Sequence, residues 1–207
     1  MKDNRTFWLA FISLALQLSV SLAMPYVKPA DVAPYKVIKK TEHYEIRSYL
    51  PTKWACYDYK GAEFTKRNQA MSFLTIYGYI NGENSAGVNI TLASPTTVRT
   101  VFSANNPAEN LYQMCMFLPK MYQDNPPQPL DKDVFIQNRN KLTVAVMQFS
   151  HLMLKENEWE VQMEILKNHL RAANEPGMDF DDIYGASFDP PFDANGRPNE
   201  VWVVKKE

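Results

Sequence analysis

The chain has 207 residues, 45% hydrophobic and 22% charged, with 22 Lys+Arg against 23 Asp+Glu and a formal charge of -1. That balance excludes a disordered tail, and it supplies neither the basic footprint of a nucleic-acid binder nor a polybasic membrane patch. Two cysteines, Cys56 and Cys115, and three histidines leave too few soft ligands for a Cys/His zinc site and no C-x-x-C redox pair. Aromatic residues at 13% and 14 prolines point to a β-rich fold with broad apolar surfaces.

Lys2 and Arg5 precede an apolar run from Phe7 to Val20, followed by Ser21-Leu22-Ala23. This is the layout of a secretory signal peptide, residues 1–23, with cleavage after Ala23 and a mature chain starting at Met24. The run falls short of the roughly 20 apolar residues needed to cross a bilayer, so the expected location is the secretory lumen or the extracellular space. In that compartment Asn89-Ile90-Thr91 becomes a glycosylation acceptor if Asn89, in an apparent strand, faces water; Asn4-Arg5-Thr6 leaves with the signal. Pairing of Cys56 with Cys115 would close a long loop worth up to roughly 4 kcal/mol. Each cysteine also sits in an apolar strand, where a buried thiol acts as a small hydrophobe, and that setting tips the expectation towards free thiols.

After a proline-punctuated leader from Pro25 to Pro34, the segments Tyr35 to Lys40 and Tyr44 to Tyr49 alternate as a half-buried strand does. Pro51 marks a turn, Trp54 to Tyr59 forms the second strand, and Gly61 ends it. From Ala62 to Ile80 the period becomes helical, with Phe73, Ile76 and Ile80 on one stripe and Asn81-Gly82 as the stop. Val88 to Phe102 reads as extended with a bend at Pro95, Leu111 to Leu118 as a strand, and Pro119 to Pro129 as a loop. Val134 to Asn138 and Leu142 to Phe149 form a hairpin around Arg139-Asn140. Leu154 to Ala173 is a helix with Trp159, Met163, Leu166 and Leu170 at helical spacing, ended by Pro176-Gly177. Phe180 to Phe188 and Val201 to Lys205 close the chain. The order is strand, strand, helix, strand, strand, written twice, and neither half is long enough to bury a comfortable core alone.

Three segments in that order carry a family resemblance: Tyr44-Glu45-Ile46-Arg47-Ser48-Tyr49-Leu50-Pro51-Thr52-Lys53-Trp54, Pro129-Leu130-Asp131-Lys132-Asp133-Val134-Phe135-Ile136, and Phe188-Asp189-Pro190-Pro191 with Asn199-Glu200-Val201-Trp202-Val203. In one register from about Tyr35 to the C-terminus, the sequence resembles the SOUL haem-binding-protein family. The resemblance implies an α+β fold in one domain, residues 35–207: a distorted antiparallel β-barrel from two strand-strand-helix-strand-strand repeats, with two flanking helices. It also implies non-enzymatic binding of haem or a related tetrapyrrole in an apolar cleft beside the first helix, as a carrier or scavenger.

A porphyrin is a wide apolar plate with two carboxylates on one edge, so its site needs an exposed hydrophobic surface with cations near the mouth. Beside its Phe73, Ile76, Ile80 stripe, the first helix carries a second one, Met71, Leu74 and Tyr77 with Gly78, which can line the cleft. Lys66, Arg67 and Arg197 are the cations suited to the propionates, and Phe192 is a lid residue. Some family members carry a histidine where this chain has Ser48, whose hydroxyl is a poor iron ligand. Of the other donors, His43 and His151 read as surface residues and His169 as a cation at a helix C-terminus. Met71 is the best-placed soft donor. The alternative occupant of the cleft is an amphipathic helix from a protein partner. No Ser-His-Asp order, metal-ligand cluster or phosphate loop is visible, and Asp181-Asp182 reads as a solvated turn.

Overall fold

The computed structural model describes residues 31–150, 158–188 and 198–206, without the side chains of Ser150 and Pro198. The expected signal peptide, His151, Phe192 and Arg197 lie outside the described residues. The strands are β1 (Tyr35–Lys40), β2 (Glu45–Tyr49), β3 (Thr52–Lys60), β4 (Thr96–Val101), β5 (Leu111–Phe117), β6 (Val134–Arg139), β7 (Leu142–Ser150), β8 (Met178–Ser187) and β9 (Pro198–Lys205), with helices α1 (Lys66–Ile80) and α2 (Glu158–Ala172). They form one nine-stranded, wholly antiparallel sheet in the order β1-β2-β7-β9-β8-β4-β5-β3-β6, curled into a half-barrel.

Period-two alternation sorts the side chains onto two faces. On β3 and β5, Ala55, Met114 and Met116 pack beneath Ile76, Tyr79 and Ile80 of α1. On β7 and β9, Ala145, Val201 and Val203 pack beneath Met163, Leu166 and Leu170 of α2. The residues between them, Trp54, Cys56, Cys115, Phe117, Val144, Val146, Trp202 and Val204, form a third cluster on the opposite face. Both helices therefore cover the same face of the sheet.

Four expectations change. The segment read as the first strand is a hairpin, β1 paired to β2 around residues 41–44, and all six β1 residues are exposed because β1 is an edge strand that no helix covers. The extended stretch from Val88 contracts to β4, starting after the Ser94-Pro95 cis peptide; Asn89 makes only an isolated bridge to Asn81. Helix α1 begins at Lys66 rather than near Ala62, because the Thr65 hydroxyl accepts the Asn68 N–H and caps it.

The fourth is the thiols. Cys56 and Cys115 stand directly opposite each other on β3 and β5 and form a disulfide, both fully buried. Alternation placed each cysteine on the inner face; only the register between two strands 59 residues apart brings them together.

The inner face also holds buried charge. Arg47, 3% exposed, donates to Glu200 across 2.8 Å, and Glu200, 0% exposed, also accepts from Trp202 Nε1 and Gln148 Nε2 at 2.8 Å each. The Arg139 guanidinium lies 4.0 Å from the Trp54 ring centre and 5.5 Å from that of Tyr184. Burial pushes its pKa down to about 10, and the rings return part of the lost solvation through cation–π attraction.

Candidate functional site

Helix α1 is built to hold one face down and leave another open. Ser72, Ile76, Tyr79 and Ile80 are its buried residues, at the spacing of a single stripe. The Tyr79 hydroxyl donates to the Pro127 carbonyl at 3.0 Å, and burial raises its pKa to about 12, with Tyr122 acting in the same direction. Ser72 and Thr75 return their hydroxyls to the carbonyls of Asn68 and Met71, so these polar side chains cost the helix no unsatisfied groups. At the C-terminus Asn81 N–H bonds back to the Tyr77 and Gly78 carbonyls, and Gly82 takes φ +100°, a conformation that favours glycine.

On the open side, Met71 is 57% and Leu74 58% exposed, and the two are neighbours at i, i+3. Lys66 and Arg67 are exposed in the first turn. Tyr77 and Gly78 are half-buried, and the Tyr77 ring stacks on Phe73 at 5.5 Å. Tyr77 and Phe73 both lean on the cluster under the helix, so the two stripes are joined by this aromatic pair rather than separated.

One contact was not foreseen. A Cβ on Gly78 would stand 2.5 Å from Glu83 Oε2, so the Glu83 carboxylate lies directly over the glycine. The signal for it was the tight turn after Asn81-Gly82, which folds residue 83 back until its N–H bonds the Gly78 carbonyl at 3.0 Å.

Of the histidines, His43 and His169 are on other elements than α1. The exposed His43, in the β1–β2 turn, stacks on the half-buried His169 of α2 with ring centres 4.1 Å apart. Ser48 is buried within β2. Among the described residues no group of three or more His, Cys, Asp or Glu could hold a metal ion, and no helix is long and apolar enough to cross a membrane.

Two cavities open elsewhere. One of about 560 Å³ lies between the 124–132 loop and β6, lined among others by Lys53, Lys132 and Phe135. A second of about 380 Å³ adjoins it beside Tyr122 and Val88. Neither is lined by a residue of α1.

The family model described as SOUL heme-binding protein matches residues 30–204. Heme-binding protein 2 of Mus musculus is 31% identical over 180 residues, covering 86% of this chain and 85% of the relative. The chain belongs to the SOUL family. Heme-binding protein 2 of Homo sapiens is 30% identical over the same shares, and heme-binding protein 1 of Xenopus laevis is 26% identical, covering 82% of this chain and 90% of the relative.

Among solved structures, a hydrolase from Listeria innocua aligns with a TM-score of 0.54 at 10% identity, covering 81% of this chain and 94% of its own. The C-terminal domain of EcmrR aligns with a TM-score of 0.53 at 8% identity, covering 84% and 98%. At such identities the likeness extends to the fold alone. In this SOUL member, α1 carries the exposed Met71 and Leu74 outside the sheet, and the buried Arg47–Glu200 ion pair lies on the inner face.

Proposed function

We propose that this protein binds haem or a related tetrapyrrole without catalysing a reaction, on the apolar surface of α1, and serves as a carrier or scavenger in the secretory lumen or outside the cell. The observation that carries the reading is the exposed Met71–Leu74 pair, flanked by Tyr77 and preceded one turn earlier by the exposed Arg67. An apolar plate laid on Met71 and Leu74 would direct its carboxylates towards Lys66 and Arg67, at the helix end where the macrodipole favours negative charge. The names of the family and of its relatives support the ligand class and a binding role. The conjugated ring would supply the absorption band by which binding is followed, with or without iron. The Met71 thioether is the soft donor on this surface. The buried disulfide supports folding in an oxidising compartment.

The test is a haem titration of the purified protein by absorbance, repeated with iron-free protoporphyrin. Saturable spectral change is expected with both. Full burial of a leucine is worth about 1.5–3 kcal/mol, and more than half of Leu74 remains to be covered, so Leu74→Asp weakens binding roughly tenfold. Absence of saturable change, or unaltered affinity in the variant, rejects the site. The same exposed pair favours one second reading, docking of an amphipathic helix. Failure of haem to displace a helix bound at this surface would support it against the first.

A further inference from the structure

We propose that Asn89 is an N-glycosylation site, carrying one glycan beside the C-terminal end of α1. The proposal rests on the secretory reading above and adds a covalent modification to it.

The acceptor triad Asn89-Ile90-Thr91 is held as the chemistry requires. Asn89 and Thr91 are exposed, and Ile90 between them is 4% exposed. Ile90 N–H bonds the Ile80 carbonyl at 2.8 Å, and its side chain packs into the cluster beneath α1. The central residue thus anchors the triad while its neighbours, two apart in extended chain, face water together. Among the described residues no hydrogen bond engages Asn89 Nδ2 or Thr91 Oγ1. The Asn89 side chain instead lies against Gly82, where its Oδ1 would be 3.4 Å from an added Cβ. Asn89 belongs to no named strand and makes a single bridge to Asn81, so a glycan on Nδ2 displaces no ladder pairing and no core side chain. Transfer precedes folding in the lumen, and the finished fold has only to leave the attachment point in solvent, which this one does.

The donor is a polyisoprenyl-pyrophosphate-linked oligosaccharide. The Asn89 Nδ2 forms a bond to the anomeric carbon of the first sugar, the bond from that carbon to the pyrophosphate oxygen breaks, the lipid pyrophosphate leaves, and Nδ2 releases one proton to the transferase base. The Thr91 hydroxyl is the second recognition group of the acceptor. The attachment point sits about 10 Å along the helix from Leu74, at a rise of about 1.5 Å per residue from Asn81, so the glycan flanks one end of the apolar surface.

The experiment is translation of the full chain with endoplasmic-reticulum microsomes, read for protease protection and for a mobility shift removed by peptide-N-glycosidase. A protected chain bearing a single glycan is expected, with Asn-to-Asp conversion at residue 89 after enzymatic release. Asn89→Gln and Thr91→Ala abolish the shift, Thr91→Ser retains it, and Asn4→Gln leaves it unchanged. A protected chain without the shift, or with a shift that survives Asn89→Gln, overturns the modification and leaves the secretory reading intact. A chain digested by protease overturns the secretory reading and the modification with it.

Discussion

Replacing Glu200 by Gln removes one charge from the inner face while keeping its shape. Arg47 is 3% exposed, and its Nη1 lies 2.8 Å from Glu200 Oε1. Burial acts to lower the Arg47 pKa, but the neighbouring Glu200 outweighs it and holds the guanidinium above its ordinary value, so Arg47 stays charged at working pH. The Glu200 carboxylate accepts from Arg47, Gln148 and Trp202 at once. A glutamine amide has one accepting oxygen, so its NH2 must face at least one of these donors. Removing one partner of a buried pair costs about 3–5 kcal/mol. Glu45 remains 2.9 Å from Arg47 Nε and is partly exposed, which places the loss near the lower end, about 3 kcal/mol. For a chain of this size that lowers Tm by roughly 6–12 °C. Calorimetry at neutral pH on wild type, Glu200→Gln and the double variant Arg47→Leu with Glu200→Leu is the assay. The double variant should lose less than the single, because no unpaired charge is left behind. A Tm drop under about 2 °C in Glu200→Gln, or a double variant worse than the single, refutes the reasoning.

Two further outcomes follow from the contacts. Alkylation under denaturing, non-reducing conditions should label neither Cys56 nor Cys115, and a Cys56→Ser, Cys115→Ser variant should lose about 4 kcal/mol in urea unfolding, the chain-entropy value for a loop of this length; a difference below about 1 kcal/mol contradicts it. For Glu175, burial would raise the carboxyl pKa, but donors from Lys39, Tyr44 and Lys205 hold it below its ordinary value of 4.5. A depressed folded pKa adds stability that is present above about pH 4.5 and lost as pH falls through the folded value. Urea midpoints between pH 6 and pH 3 should therefore fall more steeply for wild type than for Glu175→Gln; parallel curves would disprove the linkage.

The helix stripe at Phe73, Ile76 and Ile80 was legible because a period of 3.6 is a local property. Its true buried set includes Ser72 and Tyr79, which a hydrophobicity pattern passes over: the hydroxyl of one folds back on its own helix and that of the other reaches Pro127. Met71 and Leu74 could be placed on a second face, and only packing decided that nothing among the described residues covers them. Their neighbour Gly78 looked bare in sequence, whereas the turn after Gly82 brings Glu83 onto it. The apparent half-burial of Tyr35 to Lys40 failed because alternation tells which side chains share a face and not whether that face meets a neighbour.

By itself the amino-acid order determined the period of most strands and of the two helices, the split of side chains between two faces, and the family. These depend on residues a few positions apart. Tertiary structure alone decided that Cys56 meets Cys115, that Arg47 meets Glu200, that His43 stacks on His169, and that Asn89 and Thr91 face water while Ile90 does not. Each of these is a pairing or a burial between segments far apart in the chain, set by strand register and by how the sheet curls, and neither quantity is written in any local stretch of sequence.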